Sequence, residues 1–352
     1  MPSIRPASSR RTLCFCASGI FWLLHTGCAR DPSSGAPDLF AATPDLSFPV
    51  VPDASPHSDA APSPAAPAQA CEDYAAAYCR ALDGCASFWL ASIYGDVATC
   101  QTRVALECLT TLVAPGTSRT TAALAACSAA LPFVSCGDFF TGVAACAIVP
   151  GALSDGAGCI DSNQCRGGWC DLDAPGTQPL CGQCRGAPSI GYTCSHDCGT
   201  SGLSCWRGQC VRYGTVGSLC DDLLGAPCAP NLLCNPASCA CKHGACATPS
   251  GIGAPCDPMV DLCDGLRGLS CDSSTRVCTA ADSFATPGQP CGTIGPGVVF
   301  CAGGATCSLS TGTCLASAAD GAACDPAQGP RCLAPAECTE TGCRLPDATA
   351  CH

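Results

Sequence analysis

The sequence predicts a small disulfide-rich protein: an α-helical, cysteine-containing domain followed by a tandem array of short β-hairpin disulfide units. Three observations lead there. Cysteine makes up 39 of the 352 residues, a density at which a disulfide scaffold is the default for an exported chain. A Gly-x-x-Cys phrase recurs six times between Gly156 and Cys343; its opening cysteines, Cys159, Cys194, Cys220, Cys256, Cys291 and Cys324, lie 35, 26, 36, 35 and 33 residues apart, the mark of an array of small units. The stretch before it has wider cysteine spacing and an apolar period that fits helices. A unit of about 30 residues cannot bury enough apolar surface to offset its chain entropy. Closing a loop of about 15 residues with a disulfide contributes on the order of 3 kcal/mol in the chain-entropy model, so two bridges per unit take the place of a core.

Residues 1–28 read as an export signal. Arg5, Arg10 and Arg11 precede an apolar run from Leu13 to Leu24, which ends in His25-Thr26-Gly27-Cys28. That run is too short to span a bilayer, which takes about 20 residues. Its end resembles a bacterial lipobox, in which the cysteine after a small-Gly pair is acylated and becomes the mature N-terminus; Thr26, Gly27 and Cys28 fit, while His25 stands where leucine is usual. The resemblance makes Cys28 the lipid attachment site. Ala29 follows instead of the aspartate that retains enteric lipoproteins in the inner membrane, which implies the outer membrane or cell surface, with plain secretion as the alternative. Residues 29–70 carry nine prolines, Pro32 to Pro67, among Ala, Ser and Asp, with no cysteine. They read as a disordered tether.

Residues 71–150 form the predicted helical domain, with eight cysteines. Tyr74, Tyr78 and Leu82 recur at i, i+4, i+8; Val97, Cys100, Val104 and Cys108 follow an Asp96 cap; Pro115-Gly116 stops that helix; Leu124, Cys127, Leu131 and Val134 mark a third. Pairing the first two helices as a hairpin predicts the bridges Cys79–Cys108 and Cys85–Cys100. Cys71, Cys127, Cys136 and Cys146 supply two more, of open connectivity. Phe88-Trp89-Leu90 and Phe139-Phe140 are assigned to the core of this domain.

Residues 151–352 hold the six repeats, about 156–187, 191–213, 217–248, 253–280, 288–316 and 321–352. The turn between the third and fourth cysteines suggests a two-stranded hairpin. The preferred pairing is crossed, first to third and second to fourth: Cys194–Cys205, Cys198–Cys210, Cys256–Cys271, Cys263–Cys278, Cys291–Cys307, Cys301–Cys314, Cys324–Cys338 and Cys332–Cys343. Sequence alone leaves the other two arrangements open. Without Cys14, Cys16 and Cys28 there remain 36 cysteines, eight in the helical part and 28 in the array. Both counts are even, so no bridge needs to join the two parts. Unit one carries a fifth cysteine, unit three adds Cys239 and Cys241, and Cys351 stands apart; the odd cysteine of unit one must reach another unit or the tail.

The phrase Gly-x-x-Cys, loop, Cys, turn, Cys, hairpin, Cys resembles the repeats of the Dickkopf N-terminal cysteine-rich domain. The whole arrangement, from lipobox-like start through tether and helical domain to tandem units, resembles the cysteine-rich surface lipoproteins of myxobacteria. The repeat likeness covers about half the chain, and the loops between first and second cysteines range from three to nine residues. The resemblance implies a fold and a location more than a task.

The formal charge of −12 becomes −15 when Arg5, Arg10 and Arg11 leave with the signal, which argues against nucleic acid and anionic lipid surfaces as partners. No Gly-x-Ser-x-Gly elbow or His-Glu-x-x-His motif is present. Asp171-Leu-Asp173-Ala-Pro-Gly176 begins like a calcium loop, but its twelfth position is Gly182 rather than glutamate. Cys181-x-x-Cys184, Cys239, Cys241, His243 and Cys246 have spacings a metal site could use, yet an oxidising compartment favours disulfides. Cys181-x-x-Cys184 lacks the strand-to-helix setting of a redox pair and reads as halves of two bridges. Trp169 and Trp206 flank third cysteines of neighbouring units and are the candidate binding residues, against the reading that each indole packs on its own disulfide. The expectation is a protein without catalytic activity, cofactor or metal, that displays stapled repeats for adhesion or for binding a surface or extracellular protein or glycan. Its membrane contact would run through the N-terminal lipid only. Alternatives are an inhibitor of secreted proteases and a metal-sequestering protein.

Overall fold

The computed structural model describes residues 66–172, 180–194, 198, 202–220, 227–235, 244–280, 282–294 and 297–351. The signal, Cys28, the tether to residue 65, Asp173, Gly176, Cys239, Cys241 and His243 lie outside the described residues. A helical region is followed by a series of short, mostly antiparallel hairpin sheets, and 17 disulfides join the cysteines of the described chain.

The first helix, α1 (Pro67–Tyr94), starts with proline in its first turn and bends at Ala86, whose φ and ψ are −153° and 58°. It takes in the last residues of the expected tether, and Ala70 is already buried. Asp96 caps α2 (Val97–Leu112) by accepting from Thr99 N at 2.7 Å, and Thr120 caps α3 (Thr121–Ala130) through Ala123 N at 3.1 Å. The short α4 (Cys136–Thr141) is capped by Ser135. Leu82, Leu90, Val104, Leu131 and Phe139 form the core, with Tyr74, Tyr78 and Trp89 packed at its edge.

Two expected bridges in this domain are corrected. Cys79 bonds Cys100 rather than Cys108, which takes Cys71, and Cys85 bonds Cys136 rather than Cys100; Cys127 and Cys146 form the fourth pair. Helical phase is the reason. Cys71 and Cys79 are eight residues apart, as are Cys100 and Cys108, and eight residues turn a helix by two turns plus about 80°. Both members of each pair therefore keep to one face and meet across an antiparallel hairpin. Cys79 and Cys85, six residues apart, point about 240° apart, so only one can face α2.

The six units share one plan. In each, the first cysteine bonds the third and the second bonds the closing one, which is the fourth in four units, the fifth in unit one and the sixth in unit three. Cys159–Cys170 with Cys165–Cys184 make unit one, and Cys220–Cys234 with Cys228–Cys246 make unit three. The other four are Cys194–Cys205 with Cys198–Cys210, Cys256–Cys271 with Cys263–Cys278, Cys291–Cys307 with Cys301–Cys314, and Cys324–Cys338 with Cys332–Cys343. Third and closing cysteines sit opposite each other in an antiparallel ladder, as Cys205 does to Cys210 and Cys338 to Cys343. The opening glycine donates its N–H to the carbonyl of the closing cysteine, at 2.7–2.8 Å in all six units from Gly156–Cys184 to Gly321–Cys343. The closing cysteine returns its own N–H to the residue after that glycine. One element was missing from the sequence reading: the residue three before the opening glycine pairs in parallel with the second cysteine, at Leu153–Cys165, Gly214–Cys228, Ser250–Cys263, Ala285–Cys301 and Ala318–Cys332. Each of these units thus begins earlier than its glycine. The sulfurs fill the interior, and in unit one the buried cluster is Cys159, Cys165, Cys170 and Cys184.

The odd cysteine of unit one is Cys181, and it bonds Cys351 across 170 residues of chain. The array is therefore covalently closed on itself. It also packs on the helices from several units. Arg103 of α2 reaches unit six with four hydrogen bonds, two to the Asp320 carboxylate at 2.7 and 3.0 Å and one each to the carbonyls of Leu333 and Ala334 at 2.8 Å. Gly303 and Gly304 of unit five donate to the carbonyls of Ala91 and Ser92 at 2.9 and 2.7 Å, satisfying the C-terminal end of α1. Phe88, expected in the helical core beside Leu90 and Trp89, instead faces the array, with its ring 4.6 Å from Phe284 and 5.2 Å from Phe300. Gly268 of unit four lies under that ring, where a Cβ would come within 2.5 Å of Phe88.

Candidate functional site

The described structure forms a half-open cavity of about 240 Å³ between the helices and unit one. Its floor is helical: Tyr74, Tyr78 and Tyr94 from α1, Val104 and Glu107 from α2, and Leu124 from α3. The i, i+4 spacing that marked Tyr74 and Tyr78 as an apolar stripe places their rings side by side, with centroids 5.9 Å apart. Tyr78 also packs on Phe139 at 5.4 Å. The rim is Ser118 and Arg119 after α2, residues 145–149, and Asp161 and Asn163 of unit one.

Unit one is fixed to the helices by the Pro115-Gly116 turn that ends α2. Gln164, 1% exposed, donates to the Pro115 carbonyl at 2.8 Å and accepts from the N–H groups of Ile160 and Asp161 at 2.8 and 3.1 Å. Ala152 N donates to Gly116 O at 2.8 Å, and Ser118 donates through its N–H and its hydroxyl to Asn163 O at 2.9 and 3.1 Å. Asp161 in turn accepts from Asn163 N and Nδ2 at 2.8 and 2.7 Å. These hydrogen bonds tie unit one to the helices across the seam.

The floor differs. The Arg119 guanidinium lies over the Tyr74 ring, 5.2 Å from its centroid, hydrogen-bonds the Tyr74 side chain and donates to Thr111 Oγ1 at 3.2 Å. Glu107 makes no hydrogen bond or ion pair among the described residues. Burial raises its carboxyl above the usual carboxylate range. Burial likewise raises the phenols of Tyr74, Tyr78 and Tyr94 above their ordinary range, most for Tyr78 and Tyr94. The cavity thus presents a cation, a carboxyl and phenolic hydroxyls against apolar walls, a set suited to recognition by charge and hydrogen bonding.

The residues singled out in the sequence lie elsewhere. Trp169 is 7% exposed and its ring meets Tyr192 edge-on at 5.8 Å, so it belongs to the junction of units one and two rather than to an open surface. Trp206 is half-buried with Arg207 6.0 Å from its ring, and no ring contact joins the two indoles among the described residues. Cys181 and Cys184 are halves of separate bridges, to Cys351 and Cys165. Several trios, such as Cys159, Cys165 and Cys184, bring their sulfurs within 4.8 Å of one another, but these sulfurs are already bonded in disulfides and are not thiolates. Of the cavity residues, Tyr74, Tyr78, Val104 and Leu124 fall on the helical stripes of the sequence, while Glu107, Arg119 and Asp161 carry no mark there; the available signal was tyrosine instead of leucine on a buried stripe, since each phenol tip requires a polar neighbour.

Among the described residues no helix is long and apolar enough to cross a membrane. Comparison of the chain with protein-family models, curated proteins and solved structures gives no match.

Proposed function

We propose that this chain is a non-catalytic binding protein, exported and held at the outer membrane or cell surface by a lipid on Cys28. Its disulfide-stapled body would capture an extracellular ligand. The observation that carries the reading is that every described cysteine is paired, in 17 bridges, a state that extracellular and periplasmic compartments maintain and a reducing cytosol does not. The resemblance to myxobacterial surface lipoproteins with Dickkopf-like repeats supports the same location. The closed array and the hydrogen-bonded seam around the cavity support binding, because a preorganised site loses little entropy on occupation.

Intact mass spectrometry of the protein from its native membrane fraction, alkylated under denaturing conditions before and after reduction, tests this proposal. It expects no labelled thiol before reduction, 36 afterwards, and an acyl mass on Cys28. Reactive thiols before reduction contradict the exported reading; a cleaved, unacylated N-terminus contradicts the anchor and leaves plain secretion.

A further inference from the structure

The six units follow one plan, and unit two departs from it at one place. The residue after the third cysteine is Asp171, Asn235, Asp272, Ser308 or Thr339 in five units and Trp206 in unit two. In units four, five and six that side chain closes the hairpin turn, accepting from the N–H groups of Ser274, Thr311 and Thr341 at 2.8, 3.4 and 3.3 Å. Unit two needs no such help. Its turn is the two-residue Arg207-Gly208, whose φ angles of 52° and 79° are both left-handed, as the tight hairpin requires. Nor does the indole pack on the bridges of its own unit. Cys205 and Cys210 sit opposite each other in the ladder and Trp206 pairs with Gln209 one step on, so the indole lies on the other face of the hairpin from both disulfides. On that face one row runs Trp206, Gln209, Thr193, and the next holds Ser204 and Val211. Gln209 and Thr193 are exposed, and neither their side chains nor the indole N–H makes a hydrogen bond among the described residues.

We propose that this face binds an anionic polysaccharide, with one sugar ring on the Trp206 indole, its carboxylate at Arg207 and its hydroxyls on Gln209 and Thr193. The inference rests on the reading of the chain as an extracellular binding protein and names a site and a ligand class for it. A pyranose presents a face of slightly positive C–H groups, which suits the negative face of an indole. Charge selects the anion. Arg207 and Arg212 against Asp197 make unit two net positive, whereas every other unit is neutral or acidic by sequence, and the Arg207 guanidinium stands 6.0 Å from the indole centroid. Size selects a sugar over a protein surface. Three strands about 4.8 Å apart, the longer two of four residues at about 3.3 Å each, give a platform on the order of 130 Å². That is room for a pair of rings and far below the roughly 800 Å² per partner of a stable protein interface.

The test is calorimetric titration of the full, oxidised protein with hexagalacturonate, with cellohexaose (sugar rings without charge) and with hexaglutamate (carboxylates without a sugar ring). Hexagalacturonate is expected to bind at least about tenfold more tightly than either control, and to weaken as salt is raised. Trp206→Ala should weaken it about fivefold or more, Trp206→Tyr should keep most of the affinity, and Arg207→Gln should flatten the salt dependence. The ligand series reaches the same conclusion without any variant. Absence of hexagalacturonate binding at roughly 10 mM, binding of cellohexaose or hexaglutamate as tight as that of hexagalacturonate, or unchanged affinity of Trp206→Ala overturns the proposal. A protein whose thiols are all paired but which ignores hexagalacturonate loses only this site and ligand class; one with free thiols loses the exported reading itself.

Discussion

A glycine opens every unit because its φ lies between 75° and 87°, where an L-residue is strained, and not because space is short: a Cβ at Gly156, Gly191, Gly217, Gly253, Gly288 or Gly321 would meet nothing within 4 Å. Gly253→Ala should therefore cost about 1–2 kcal/mol through backbone conformation alone, read as a lower urea midpoint of the oxidised protein with an unchanged disulfide map. Arg103 presents the opposite case, a buried cation with four partners in unit six. Arg103→Met leaves the Leu333 and Ala334 carbonyls unpaired while Asp320, 40% exposed, is taken up by solvent, and should cost about 1–3 kcal/mol in the same assay. The buried phenols add a pH signature. Their native pKa values exceed the unfolded value of about 10, so the folded state holds the extra protons and stability falls as pH rises above that point. A tyrosinate absorbance titration should leave Tyr74, Tyr78 and Tyr94 un-ionised past pH 10 until the protein unfolds. Asp272, Asp325 and Asp347 act in the other direction: hydrogen bonds from Ser274, Ala327 and Thr349 lower their pKa values, so these loop turns loosen as pH falls through that lowered range.

At the scale of elements, local periodicities carry much of the architecture. The Asp96 cap, the first two helices and the repeat follow from spacing and turn chemistry, because each is settled within about 30 residues; the crossed pairing is the preferred one of three arrangements that spacing leaves open, and the third helix ends at Ala130, short of Leu131 and Val134. The bridges between helices depend on phase. The matched intervals of eight in Cys71/Cys79 and Cys100/Cys108 were present in the sequence, but pairing from the turn outward placed Cys85 next to Cys100 and missed them. In five units the residue that bridges three positions ahead of the opening glycine has no strand signature of its own, since Leu153, Gly214, Ser250, Ala285 and Ala318 are mostly small residues with no common polarity. It arises only when the second cysteine, bound to the closing one, presents its backbone alongside. The candidate cavity was hidden for a similar reason: Tyr74 and Tyr78 fit a core stripe, while Arg119 and Asp161 join them only after unit one docks on the Pro115-Gly116 turn.

The whole molecule is more unified than a string of modules. The sequence reading set a helical domain beside a displayed array, whereas units one, four, five and six all contact the helices, and the Cys181–Cys351 bridge joins the end of the array to its first unit. Gly158 approaches so closely to the tail that a Cβ there would sit 1.8 Å from Cys351 O, so the tail packs into unit one as well as bonding to it. A Cys181→Ser/Cys351→Ser double variant should keep its other bridges yet lose about 2–4 kcal/mol, with proteolysis starting in the C-terminal unit. The most direct measurement is peptide mapping of the unreduced protein after digestion at low pH, where thiol exchange is suppressed. The account predicts one linked pair carrying Cys181 and Cys351, together with Cys71–Cys108 and Cys85–Cys136. Cys351 recovered free, or bonded to any cysteine other than Cys181, would contradict the closed array.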